Sequence, residues 1–126
     1  MTEKQHYDTS KNLSEAVKAG NTIYTAGIVA LDANGKVIGT NTKQQTAAIL
    51  DIIKKMLTEL GAKVTDIVKC TVYLTDINNF AEMNEAYVKF FTENGCTGKM
   101  PARASMQIVK LVKSEWLVEI EAVAVI

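Results

Sequence analysis

TKQQTAAILDIIKKMLTELGAKVTDIVKCTVYLTD, residues 42–76, decides the fold. Ile49, Ile52, Ile53, Met56 and Leu60 recur at helical spacing and form one apolar stripe. Thr42-x-x-Gln45 has the capping-box pattern, in which each side chain satisfies the other residue's free N–H, so a helix is predicted from Thr42 to Leu60. Gly61 stands where helices commonly stop. The pattern then changes period. Val64 to Thr75 contains a strand, best from Ile67, with Val68, Cys70, Val72 and Leu74 on one face and Lys69, Thr71 and Tyr73 on the other.

Working outward, a second helix is predicted from Asn79 to Asn94, with Asn79-x-x-Glu82 as its cap and Gly95 as its stop. Its stripe is Phe80, Met83, Tyr87, Phe90 and Phe91, which reads as core packing. Two strands follow, from about Ala102 to Val109 and from Glu115 to Val125. Upstream, residues 5–8 form a short strand, and residues 15–19 and 22–27 form a hairpin turned by Gly20-Asn21. Asp32-Ala33-Asn34-Gly35 is a loop. The order β-β-β-α-β-α-β-β makes each helix a right-handed crossover, so both cover one face of one mixed sheet. The expected fold is a two-layer α+β sandwich. On the last strand Leu117, Glu119, Glu121, Val123 and Val125 share one side, and Trp116, Val118, Ile120, Ala122 and Ala124 the other. Both sides are rich in apolar groups, yet two helices cover only one, so the other calls for burial against copies of the same chain.

The chain's 126 residues suit one domain, residues 1–126, large enough to bury a core. Fourteen basic and fourteen acidic residues cancel, which argues against nucleic acid as the main ligand. MTEKQHYDTS has no apolar signal region and no run reaches the ~20 apolar residues of a membrane span, so a cytoplasmic protein without membrane contact is expected. Cys70, Cys96 and the single His6 make no zinc ligand set. The thiols are expected to be reduced, Cys70 in a strand and Cys96 in a loop.

Two places can carry chemistry. Glu119 and Glu121 share an apolar strand face, where a carboxylate costs free energy and its pKa rises, as suits an acid or base near neutrality. The plain alternative is an ion pair or a surface edge. On the neighbouring strand, Arg103, Ser105 and Gln107 share one face, and Ala102, Ala104, Met106 and Ile108 make an apolar one. The planar guanidinium of Arg103 can hold a carboxylate through two parallel hydrogen bonds, or it can pair with Glu119 or Glu121 and do nothing more. No phosphate loop, Ser–His–Asp set or Cys–His pair accompanies them.

Pro101-Ala102-Arg103-Ala104-Ser105 resembles the RidA/YjgF family, also called the L-PSP endoribonuclease family. The likeness extends through Gly20-Asn21 to Gly27, Leu60-Gly61-Ala62, Asp66 to Asp76, Asn84 through Tyr87 to Phe91, and Val118-Glu119-Ile120-Glu121-Ala122. It implies a chorismate-mutase-like fold and a homotrimer with a ligand cleft at each subunit interface. It also implies cofactor-free hydrolytic deamination of reactive enamines and imines, such as 2-aminoacrylate, to 2-keto acids and ammonia. By position, Arg103 matches the arginine that holds the substrate carboxylate, and Glu119 the glutamate that positions the attacking water. Three positions depart from the family pattern: Leu13 stands for a tyrosine, Ala26 for a serine before Gly27, and Ser105 for a cysteine. Backbone N–H groups at Ala26 and Gly27 are further candidates for ligand contact.

A deaminase of 2-iminobutanoate/2-iminopropanoate type is therefore the leading expectation. A non-catalytic protein that senses small carboxylates is the alternative that the lost tyrosine and serine favour. A ribonuclease is the third, and the absence of net positive charge and of a nucleophile–base set weighs against it.

Overall fold

A computed structural model describes residues 2–126. The elements run β1 (Lys4–Thr9), β2 (Ser14–Ala19), β3 (Thr22–Thr25), α1 (Thr42–Glu59), β4 (Ile67–Leu74), α2 (Phe80–Glu93), β5 (Ala102–Gln107) and β6 (Val118–Val125). The six strands form one sheet in the order β1-β2-β3-β6-β4-β5. β4 and β5 are parallel and every other neighbouring pair is antiparallel. β6 thus slots between the two strands that α1 connects. Its alternate residues Val118, Ile120, Ala122 and Ala124 are buried beneath the helices, as their spacing predicts. The mixed sheet with two helices is the expected α+β sandwich.

α1 buries Ile49, Leu50, Ile53 and Leu57 almost completely, each worth about 1.5–3 kcal/mol relative to exposure. α2 adds Met83, Tyr87 and Phe91, the last two with ring centroids 4.6 Å apart. Helix α1 ends where Gly61 adopts φ +84°, a left-handed conformation that glycine takes without strain. The following Ala62 N–H returns 2.8 Å to the Leu57 carbonyl.

Both helix starts differ from their predicted caps. At α1 the cap is Asn41, whose side chain accepts from the Gln44 N–H at 2.8 Å, while Gln44 Oε1 accepts from the Thr40 N–H at 2.9 Å. Thr42 and Gln45 face inward instead. Gln45 has other duties: its amide donates to the Glu115 and Gly39 carbonyls at 2.9 and 3.3 Å and accepts from the Leu117 N–H at 2.9 Å. At α2, a short 3-10 turn (Ile77–Asn79) runs straight into the helix, so Asn79 is not extended and its side chain makes no cap bond. Glu82 accepts instead from the Lys43 N–H at the start of α1, at 3.1 Å.

One strand face differs from expectation, and the alternation read for another acquires its sides. A register shift between Ile67 and Lys69 turns Val68 outward, 47% exposed, and puts Ile67 in the core. On β5, parallel pairing sets Arg103 beside Cys70 and Ser105 beside Val72, both core residues. Arg103 and Ser105 therefore lie on the helix-covered side. Ala102, Ala104 and Met106 join Glu119, Glu121, Val123 and Tyr24 on the uncovered side. That face is apolar at its margins, with Tyr24, Met106 and Val125 all exposed.

Candidate functional site

The structure gathers the candidate residues into two clusters, with Arg103 and Glu119 on opposite sides of the sheet. The first surrounds Arg103. Its Nη1 donates to Asn84 Oδ1 at 2.7 Å, and its guanidinium carbon lies 4.6 Å from the Tyr87 ring centroid and 5.4 Å from that of Phe80. Asn84, Tyr87 and Phe80 come from successive turns of α2, which packs over this part of the sheet. Stacking on aromatic faces steadies the cation. Among the described residues the one ion pair is Lys43–Glu85, at 2.9 Å, so Arg103 has no carboxylate partner. Pairing with Glu119 or Glu121 within the chain is excluded, because those carboxylates stand on the far side of the sheet.

The polar groups beside Arg103 are under-used. The Tyr87 hydroxyl and Ser105 Oγ are buried without a hydrogen-bond partner. Burial pushes the Cys70 thiol up to about 11, against smaller lowering effects of the Tyr87 hydroxyl and the Arg103 charge. Cys70 is therefore a neutral thiol at physiological pH, not a nucleophile. Tyr87 is pushed up as well, chiefly by burial.

The second cluster is a cleft of ≈630 Å³ bordered by Tyr7, Leu13, Glu15, Gly27, Trp116 and Glu119. Between the Tyr24–Val123 pair and the Ile28–Ile120 bridge, the β3 side carries one residue more than β6, which is a bulge. Thr25 Oγ1 takes over the Ala122 N–H at 2.9 Å. The Ala26 N–H is spent on the Glu15 carbonyl at 2.8 Å, so of the two backbone donors expected there only that of Gly27 is without a partner among the described residues. The Glu119 carboxylate packs against Gly27: a β-carbon added there would sit 2.6 Å from Glu119 Cδ. Burial first, and the neighbouring Glu121 charge second, raise the Glu119 carboxyl above the ordinary glutamate value. Glu15 is raised too, by burial and by Asp8.

Of the candidates read from sequence, Leu13, Gly27 and Glu119 meet at the cleft, Ala26 adjoins it, and Arg103 and Ser105 lie together elsewhere. Sequence reasoning missed Asn84, Tyr87, Tyr7, Glu15 and Trp116 as neighbours of these groups. Phe80, Asn84 and Tyr87 fall one helical turn apart, so a polar Asn beside an aromatic stripe was the available signal. Nothing local marks Tyr7 or Trp116. Among the described residues no group of three or more His, Cys, Asp or Glu converges to hold a metal, and no helix is long and apolar enough to cross a membrane.

The family model for Endoribonuclease L-PSP matches residues 3–126, and the chain belongs to this family, RidA/YjgF. A RutC family protein of Pyrococcus abyssi is 41% identical over 112 residues, covering 88% of this chain and 84% of that protein. The Escherichia coli 2-iminobutanoate/2-iminopropanoate deaminase is 37% identical over 111 residues, 88% of this chain and 84% of that enzyme. Among solved structures, E. coli TdcF with bound serine superposes with a TM-score of 0.84 at 30% identity, over 94% of this chain and 91% of that one.

Proposed function

We propose that the protein hydrolyses 2-imino acids and their enamine tautomers to 2-keto acids and ammonia, at sites where Arg103 of one copy meets the Glu119 cleft of another. The observation that carries this is the state of Arg103: half-buried, oriented by Asn84, stacked on Tyr87 and free of any carboxylate. Such a guanidinium has hydrogen-bond capacity left for an anion. One chain alone cannot bring Arg103 and Glu119 to one ligand, since the sheet separates them. The uncovered face, apolar at its margins, supplies the reason to assemble, and a homotrimer with this face inward fits it.

Arg103 holds the substrate carboxylate and so fixes the imine carbon. Glu119 takes a proton from water as its oxygen bonds to the carbon of the protonated imine, then passes that proton to the amino nitrogen of the resulting carbinolamine; the C–N bond breaks as the C=O bond forms, and the hydroxyl proton leaves to the freed carboxylate. Water's oxygen stays in the keto acid and nitrogen leaves as ammonia, with no net redox change. A raised pKa suits a carboxyl that both accepts and donates a proton near neutrality. The free Gly27 N–H is placed to donate to a ligand in the cleft.

The test is to release 2-iminopropanoate in situ and follow its decay. Wild type accelerates the decay. Arg103→Ala, which removes charge-assisted bonds each worth about 1.5–3 kcal/mol, lowers kcat/KM by on the order of 10²-fold or more. Arg103→Ala at wild-type rate removes the proposed anchor. A second reading, a keto-acid-binding protein without turnover, draws on Leu13 and Ala26, which bring no hydroxyl to the cleft. Saturable 2-oxobutyrate binding with no acceleration of imine decay selects it.

A further inference from the structure

The cleft beside Glu119 is larger than the smallest imino acids require. On the single chain its ≈630 Å³ lies within the ~300–1,000 Å³ range of pockets that bury drug-sized ligands, so that room for more than a three-carbon imino acid remains after a second copy brings Arg103 to its mouth. Leu13, Ile52, Met56 and Trp116 make an apolar part of the wall, and the carboxylates of Asp8, Glu15 and Asp32 with Lys55 make a charged part.

Trp116 is the unusual member. It lies outside the strands, at the end of the loop between β5 and β6. The same loop leaves Val109 96% and Val112 87% exposed, so general hydrophobic collapse does not draw it inward. What holds Trp116 is the buried Gln45 amide, which bonds the Glu115 carbonyl and the Leu117 N–H, the peptide groups on either side of it, both at 2.9 Å. Lys113 Nζ lies 6.0 Å from the indole ring centroid. An aromatic side chain clamped at both flanking peptides is a fixed wall, and a fixed wall discriminates ligand shape better than a mobile one.

We infer that Trp116, positioned by Gln45, makes this cleft select 2-imino acids with a large apolar side chain, such as those derived from leucine, methionine or phenylalanine, over the alanine-derived one; this rests on the proposed deaminase site lying here. Each buried carbon of the substrate side chain gains packing against the indole and Leu13. The leucine-derived compound is favoured over the alanine-derived one by at least about tenfold.

Trp116 is the chain's single tryptophan, so its fluorescence reports directly on the cleft. Wild-type protein is titrated with 4-methyl-2-oxopentanoate and with pyruvate, following Trp emission and calorimetric heat together. In parallel, imines released from leucine, alanine and lysine are assayed for turnover. Expected are an emission shift that saturates with the heat, tighter binding of the branched keto acid by tenfold or more, and the same order in kcat/KM. Trp116→Ala lowers the leucine-to-alanine ratio by tenfold or more, and Trp116→Phe restores most of it. Equal ratios, a preference for the lysine-derived imine, or saturable binding that leaves Trp emission unmoved each overturn the inference. Turnover of both imines at equal rates does so while leaving the deaminase proposal intact. Size-selective binding with no turnover does the reverse. If no keto acid binds and no imine is consumed, both fall.

Discussion

Gly27→Ala isolates the position of one carboxylate. The added methyl would lie 2.6 Å from Glu119 Cδ and 3.2 Å from Cγ, where carbon–carbon contacts are comfortable only at ~3.5–4.0 Å. Gly27 does not lie in the left-handed region, so alanine brings no backbone strain and the side-chain collision stands alone. Glu119 is only partly buried, so it can rotate away. The stability cost is that of an off-rotamer side chain, about 1 kcal/mol, at the low end of the usual overpacking penalty of ~1–3 kcal/mol. The effect on chemistry is larger. A proton-transfer group displaced by about 1 Å loses on the order of 10²-fold in rate. Urea unfolding and imine decay are measured on Gly27→Ala, Glu119→Ala and the double variant. With the carboxylate removed, Gly27→Ala no longer costs stability, so the double-mutant cycle shows a coupling about equal to the single-variant loss. Two results would refute the reasoning: an equal stability cost of Gly27→Ala in both backgrounds, or wild-type kcat/KM in Gly27→Ala with the carboxylate demonstrably shifted.

Three further outcomes are expected. Folding raises the Glu119 pKa, chiefly by burial, so this group's stabilising contribution is whole below the ordinary glutamate range and is lost as pH rises through the raised value. Glu119→Gln is therefore more stable than wild type at pH 7 and converges with it in acid, seen as a difference in Tm that shrinks as pH falls; a constant difference contradicts this. Gln45→Ala strands the Leu117 N–H and the Glu115 and Gly39 carbonyls, and costs about 2–4 kcal/mol, chiefly from the two groups held at 2.9 Å, read as a lowered urea midpoint at unchanged m-value. Asn41→Ala removes the α1 cap and costs about 1 kcal/mol, read as a lowered midpoint in chemical unfolding; an unchanged midpoint would return the cap to Thr42.

The helices and the succession of strands and helices along the chain were legible because their signals are local. Ile49, Ile53 and Met56 fall on one stripe whatever lies beside them, and Gly61 and Gly95 stop the chain where the stripes end. What stayed hidden depends on partners distant in sequence. Gln45 looks like a capping residue until Glu115 and Leu117 are seen to need its amide. Val68 looks inward until the shift at Ile67 turns it out. The face on which Arg103 stands is set by its pairing with Cys70, and only that pairing shows that Arg103 and Glu119 are on opposite sides of the sheet. Glu119 and Arg103 themselves could be singled out by residue type and by resemblance to the family. The surroundings that set their behaviour, Asn84 and Tyr87 for one and Gly27 and Trp116 for the other, come from separate elements and emerge only in three dimensions.

β6 follows every other strand in the chain, yet it occupies an interior place in the sheet, between β3 and β4. A chain emerging from the ribosome can make the β1–β2–β3 meander and the β4–α2–β5 unit early, but nothing stitches them together until the final strand arrives. Until then two unpaired strand edges face water, so the barrier to folding is dominated by loop closure over most of the polypeptide's length, and refolding is slow for a protein of this size. Chaperone capture should accordingly be strongest for nascent chains that stop just short of Val118.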